Sequence, residues 1–259
     1  MKFSQIFLKY RIFEFTGLFF VLLSILLYGF IKFSDNEINS LNNQTNTNEI
    51  NTDEINHSNL QNNLNDLSII DSQNDSNNTI VNQSEFNDYP YSKLPSNFKV
   101  YKKSILDFLD DNTPLSISIK EIGLNSDIKA LEIIDLKDAS SYETPKNIVG
   151  HIPQSYKPGE KGKSWYFGHL ESFIKKEGNV FHMLPKIPGL MKTDPYLYIH
   201  IKTNSRTFVY HIYKTEVVPR DDLVLEIESD ISEVILVTCV PSFLYHSRLL
   251  VHSKLIGTY

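Results

Sequence analysis

The chain has 259 residues and a formal net charge of −6, enough for one ordinary domain plus appendages. Its charge leaves no basic stripe of the kind that nucleic acid requires. A single cysteine excludes both an intramolecular disulfide framework and a multi-cysteine zinc site.

Residues 15–31 are uncharged and rich in Phe, Leu, Ile and Val, with Ile12, Phe13 and Phe33 at the edges. At 1.5 Å per residue such a helix crosses a hydrocarbon core of about 30 Å. Lys2, Lys9 and Arg11 precede it, which by the positive-inside rule keeps the N-terminus cytoplasmic and the rest of the chain outside. A cleaved signal peptide is the competing reading, but no small-x-small site follows Tyr28-Gly29-Phe30. The expectation is therefore an uncleaved anchor over residues 1–33 and an extracellular remainder.

Residues 34–88 are dominated by Asn, with Ser, Thr, Gln and Asp and only isolated Ile or Leu. No period persists, so a disordered tether is expected there, with a typical reach of about 45 Å for a coil of that length. His57 falls within it as a solvated histidine. Order is expected over 89–259, opening with an amphipathic helix over 96–111 that carries Phe98, Ile105, Leu106 and Leu109, with Ser96 as N-cap.

From Leu115 onward the pattern turns to strands. Leu115, Ile117 and Ile119 alternate with Ser116, Ser118 and Lys120. Residues 197–202 and 207–213 flank the turn residues Thr203, Asn204, Ser205 and Arg206, which predicts a hairpin. Residues 234–238 and 249–251 are apolar on both faces and belong in a closed or covered sheet. Many short strands punctuated by Gly and Pro predict one small barrel or sandwich.

Cys239 ends the 234–238 strand just before Val240 and Pro241, and proline cannot extend a ladder. The thiol should therefore sit at the strand's rim, on the face of Ile235 and Val237. Arg248 opens the next apolar run, so a hairpin would bring its guanidinium to the sulfur. A thiol also needs a base or a charged neighbour to act as a nucleophile. A buried bystander cysteine is the plain alternative.

The segment Leu236-Val-Thr-Cys-Val-Pro241 followed by Ser247-Arg-Leu-Leu-Val251 resembles the sortase signature, a strand ending in Leu-x-Thr-Cys and an arginine leading the last strand. Tyr166-Phe-Gly-His169 fits the slot of that family's catalytic histidine. Val149-Gly-His-Ile-Pro153, Pro158-Gly159 and Gly162 resemble the run before it, and Val180-Phe-His-Met-Leu-Pro185 resembles a Phe-x-x-Leu element after it. The resemblance spans residues 115–259, and the anchor and tether match the family's layout. Departures are Lys163-Ser164 where Gly-Asn is expected, Phe167 where a small residue is usual, and the lack of a calcium-binding acidic cluster.

What the resemblance implies is a mainly β fold: a closed eight-stranded barrel with short helices, behind one transmembrane helix. It implies a transpeptidase in which Cys239 attacks a Leu-Pro-X-Thr-Gly-like sorting peptide to give a thioester. His169 would be general acid and base, and Arg248 would position substrate and stabilise the oxyanion. Thr238 and His151 are candidate substrate-binding residues, each with a structural role as the alternative. The partners implied are sorting-signal peptides of surface proteins and an amine of the cell wall or a pilin-like protein. No cofactor and no metal is implied; a site built from His246 and His252 lacks acidic or cysteine partners nearby in sequence. His182, His200 and His211 read as structural.

Two other classes remain open at this point. A membrane-bound cysteine protease would release the same acyl-enzyme to water, and a tethered β-barrel binding module would carry an inert thiol. An L,D-transpeptidase is disfavoured because its Ser-His-Gly-Cys arrangement is absent.

Overall fold

The computed structural model describes residues 19–44, 89–101, 110–136, 139–171, 178–241 and 244–259. Helix α1 runs Phe19–Gln44 and is long and apolar enough to cross a membrane. It continues past Ser34, where the tether was expected to begin, so the Asn-bearing segment up to Gln44 is helical. Residues 45–88, the rest of the expected tether, lie outside the described residues.

The remaining chain folds as strands β1 (Lys99–Val100), β2 (Ser116–Ile119), β3 (Leu124–Ala130), β4 (Glu132–Leu136), β5 (Ala139–Glu143), β6 (Val149–His151), β7 (Gly162–Phe167), β8 (Tyr198–Lys202), β9 (Thr207–Pro219), β10 (Ser232–Val240) and β11 (Ser247–Thr258). A short helix α2 (Ile187–Leu190) lies between β7 and β8. The main sheet runs β1-β11-β10-β7-β6-β3-β2-β8-β9, and an additional β9–β11 pairing joins its ends. Leaving out β1, the eight strands from β11 round to β9 form a closed barrel. β4 and β5 form a separate hairpin.

Closure rests on two long strands, β9 and β11, paired antiparallel from Ser247↔Pro219 to Thr258↔Phe208. Register shifts between His252 and Ser253, and between Leu255 and Gly257, interrupt the pairing, and such bulges bend and twist a strand enough to curve a sheet. Closing the sheet removes the exposed edges that would otherwise recruit another chain. β3 with β6 and β7 with β10 are the parallel pairs, and every other pairing is antiparallel.

The expected 203–206 hairpin is present as β8 and β9, and the period-two run at Ile117 and Ile119 is β2, with both isoleucines buried. The helix expected over 96–111 is not what the described part shows. Lys99–Val100 is a strand, paired with Gly257 and Thr258 along the edge of β11 that β10 leaves free. Phe98 packs against the buried cluster of Leu94, Tyr198, Val209 and Ile256. A local helical period yields here to a sheet edge that offers backbone partners as well as an apolar face. Residues 102–109 of that expected helix lie outside the described residues.

Side-chain alternation separates two environments along β7 and β10. Tyr166, Tyr210, Phe208, Ile199 and Ile201 are almost fully buried and fill the barrel. On the opposite side of the same strands Trp165, Ile235 and Val237 join Leu131, Ile152 and Leu250 in a second buried cluster, with Phe167, Val218 and Leu223 packed on it. The chain between β9 and β10 contributes Leu223 to that cover, and the carbonyl of Glu226 accepts a hydrogen bond from the Trp165 indole at 2.8 Å.

Candidate active site

Cys239 lies at the penultimate position of β10, beside Val240 and Pro241, and is partly exposed. Its register partner on β11 is Arg248. In an antiparallel ladder directly opposite residues point to the same face with Cβ atoms about 5 Å apart. Thiol and guanidinium therefore share one side of the sheet, as the sequence order around Pro241 predicts.

His169 reaches the same place by a different route. β7 is hydrogen-bonded in parallel to β10 only as far as Phe167↔Val237, so the chain leaves the sheet at Gly168, beside the end of β10. Gly168 is held from both sides: its N–H donates to the Val237 carbonyl at 3.2 Å, and its carbonyl accepts from the Thr238 hydroxyl at 2.9 Å. The His169 carbonyl in turn accepts from the Phe181 N–H at 2.9 Å. A Cβ at position 168 would stand 2.5 Å from the Phe181 ring, so glycine allows this close approach. Phe181 and Leu184 are themselves fully buried, which gives the Phe-x-x-Leu element its task of backing the histidine loop.

The His169 ring is placed by its Nε2, 3.2 Å from the Thr144 carbonyl. A carbonyl only accepts, so Nε2 carries the proton in this contact and Nδ1 is the lone-pair nitrogen of the neutral ring. Arg248 is anchored through Nη1, which donates to the carbonyls of Tyr245 and Ser247, both at 2.9 Å. Locking one end of the guanidinium to backbone preorganises the remaining donors.

Cys239, His169 and Arg248 line one cavity of about 350 Å³. Leu131, Phe167, Val237, Leu223 and Leu225 form its apolar walls, and Arg220 and Thr144 complete its polar lining. A second cavity of about 530 Å³ adjoins it on the same sheet face, with Leu223 common to both. The second is lined by Lys163, Glu216, Glu226, Glu233 and His252 among others and contains no thiol. The smaller cavity is the candidate site because thiol, imidazole and guanidinium meet only there among the described residues.

The other sequence candidates are placed differently: Thr238 borders the cavity and His151 does not. Thr238 faces the barrel interior, 2 % exposed, and its hydroxyl is committed to the Gly168 carbonyl, so it holds the histidine loop. His151 does not line the cavity. It is 5 % exposed, with Nε2 near the Ser164 and Ser155 hydroxyls at 3.1 and 3.3 Å and its ring 4.9 Å from that of Tyr166. Burial pushes its pKa down to about 4, against a hydrogen bond to the Tyr156 carbonyl that acts the other way. Its register partner on β7 is Tyr166, the strand position whose side chain fills the barrel.

His252 contacts Glu216 at 3.0 Å and His246 contacts Ser247 at 2.9 Å. Among the described residues no group of His, Cys, Asp and Glu is arranged to hold a metal ion. Two polar residues of the cavity were not singled out from the sequence, Thr144 and Arg220. Thr144 carried no readable signal, since its role is that of a backbone carbonyl.

The sortase-domain family model matches residues 117–256. Sortase D of Bacillus subtilis (strain 168) is 30% identical over 112 residues, covering 43% of this chain and 48% of that protein. The chain thus aligns with about half the length of that relative. Among solved structures, a sortase D5 transpeptidase of Clostridium perfringens is similar at 26% identity and a TM-score of 0.41, covering 58% of this chain and 86% of that one. A lid mutant of sortase A from Corynebacterium diphtheriae is similar at 23% identity and a TM-score of 0.42, covering 55% of this chain and 69% of that one.

Proposed function

Since this chain belongs to the sortase family, a family of cysteine transpeptidases, we propose that Cys239, His169 and Arg248 carry out acyl transfer from a sorting peptide to an amine. The observation that carries this reading is the meeting of all three side chains in one cavity although they arrive from three segments.

In the proposed reaction the Cys239 thiol gives its proton to Nδ1 of His169, and the resulting thiolate attacks the carbonyl of the scissile peptide bond to form a tetrahedral oxyanion. Arg248 is held opposite Cys239 in register, with Nη1 already bound to backbone. Its remaining N–H groups serve the substrate and the oxyanion, where preorganised donors have their largest effect. As the C–N bond breaks, His169 delivers a proton to the departing amine and the acyl group stays on sulfur as a thioester. An incoming amine then gives a proton to His169 as it attacks the thioester, and the thiolate leaves. The Thr144 carbonyl accepts from Nε2 and keeps the ring oriented through both half-reactions. The apolar walls of the cavity limit water, which favours an amine over hydrolysis.

Partial exposure of Cys239 within a lined cavity supports this reading over a bystander thiol. The donor is a Leu-Pro-X-Thr-Gly-like sorting signal, and the acceptor an amine of the cell wall or of a pilin-like protein. Helix α1, preceded by Lys2, Lys9 and Arg11, anchors the enzyme with its N-terminus in the cytoplasm and the barrel outside.

The test uses the full chain in detergent, a library of such peptides and intact-mass spectrometry. Wild type should gain an acyl adduct that an added amine removes as a ligated product, and Cys239→Ala should gain none. An adduct in Cys239→Ala would end the assignment of the nucleophile. Release only to water, whatever amine is supplied, would make the protein a protease.

A further inference from the structure

The two adjoining cavities differ in the balance of charge that lines them. The cavity that holds Cys239 is lined by two guanidiniums, Arg220 and Arg248, and among the described residues by no carboxylate. The neighbouring cavity is lined by Glu216, Asp222, Glu226, Glu228 and Glu233 against Lys163 and Lys214. One short turn, Arg220–Asp222, contributes to both, sending its arginine to the first and Asp222 to the second. Among the described residues the Arg220 side chain makes no ion pair or hydrogen bond. Two unneutralised guanidiniums in one partly enclosed space repel each other, an arrangement relieved by an anionic occupant.

Arg220 is fixed at its backbone rather than at its side chain. Its N–H donates to the His246 carbonyl at 2.9 Å, tying the turn to the β10–β11 connection. Val218, two residues earlier, pairs with Arg248, which pairs with Cys239. The row Cys239, Arg248, Val218 therefore spans two strand spacings, roughly 10 Å at about 4.8 Å each. Arg248 is the guanidinium adjacent to the sulfur and serves the scissile carbonyl. Arg220 follows Val218 by two residues, just past the end of β9, which sets it apart from Arg248 by the length of two or three extended substrate residues at about 3.3 Å each.

Resting on the acyl-transfer reading above, we infer that Arg220 is a specificity residue that selects a donor peptide bearing an Asp or Glu side chain within three residues of the scissile bond. The planar guanidinium suits a carboxylate because it offers two parallel N–H donors to two oxygens, which an amide isostere cannot match.

The experiment pairs donor peptides that differ only by Glu or Gln at each of the three positions on either side of the scissile bond, with the full chain in detergent. Wild type should prefer Glu at one position by about tenfold in kcat/KM, carried by KM, a ratio equivalent to one charge-assisted hydrogen bond. Arg220→Gln should collapse that ratio toward one, and Arg220→Glu should turn it toward a Lys-bearing donor. The same peptide pairs are titrated onto Cys239→Ala, so that binding is read without turnover.

A wild-type ratio near one at every position, or a ratio that survives in Arg220→Gln, overturns the inference. So does an equal fall in kcat for both members of a pair, since that marks a general effect on the oxyanion. Acylation without charge preference removes this inference alone. Absence of both acylation and binding removes the parent reading with it.

Discussion

Two Gly-His dipeptides, Gly150-His151 and Gly168-His169, look alike in the chain and end in opposite environments. His151 is the last residue of β6, paired with Tyr166, and its ring is buried among Ser155, Ser164 and Tyr166. His169 lies two residues beyond the end of β7 and lines the cavity of Cys239 and Arg248. A residue inside a ladder has its direction dictated by strand parity, whereas one just past the rim is directed by whatever ties down its loop. For His169 those ties are the Val237 carbonyl, the Thr238 hydroxyl, the Phe181 N–H and the Thr144 carbonyl.

The largest expected effect breaks the pair apart by activity. His169→Ala should lower kcat/KM for acyl transfer by about 10²- to 10⁴-fold, the usual contribution of a positioned acid–base group, with little change in stability. His151→Ala should instead lower unfolding free energy by about 2 kcal/mol, because it leaves buried hydroxyls short of a partner. Parallel kinetics and urea unfolding on the two variants check this. Loss of turnover in His151→Ala at full folded population would mean that the two roles are reversed.

A smaller effect sharpens the comparison through pH. The folded-state pKa of His151 is pushed down to about 4 by burial, from an ordinary 6.5. Between those values the unfolded chain binds a proton that the folded protein refuses, so stability falls as pH drops through the window. The fall amounts to about 3 kcal/mol at most for a shift of this size. His200 and His211, also lowered by burial, act in the same direction. The share of His151 is therefore read as the difference in pH slope between wild type and His151→Gln. A slope that is identical in both would show that the ring is not buried as a neutral group.

The smallest expected effect touches the tether of the histidine loop. Thr238→Val keeps the shape but leaves the Gly168 carbonyl without its hydroxyl donor, costing about 1–2 kcal/mol of stability. A slackened His169 should also lower kcat by up to about tenfold, since small misplacements of a reacting group are costly. Thr238→Ser, which retains the hydroxyl, should recover most of both. Failure of serine to rescue would point to the methyl group and to packing.

Much of this was legible in the chain. The alternation at Ile117 and Ile119, the turn at 203–206 and the doubly apolar runs before Cys239 and after Arg248 are short-range patterns, and each became the strand it announced. The hairpin linking Cys239 to Arg248 was readable because a proline stop and a return of few residues leave little choice of register. The stretch at Lys99–Val100 was misjudged because its partner, the end of β11, is the C-terminus of the same chain. No local period encodes a partner that far away in sequence.

Sequence by itself determined the apolar N-terminal helix, the strand-rich character of the domain, and the short return that sets Arg248 opposite Cys239. These depend on composition and on contacts between near neighbours. Only tertiary structure decided that the sheet closes through β9 and β11, that His169 rather than His151 lines the cavity of Cys239, and that Arg220 lines that cavity while Asp222 lines its neighbour. Each of those outcomes turns on which strands become neighbours. That choice is made by burying both faces of β7 and β10 together, a collective property that no single segment carries.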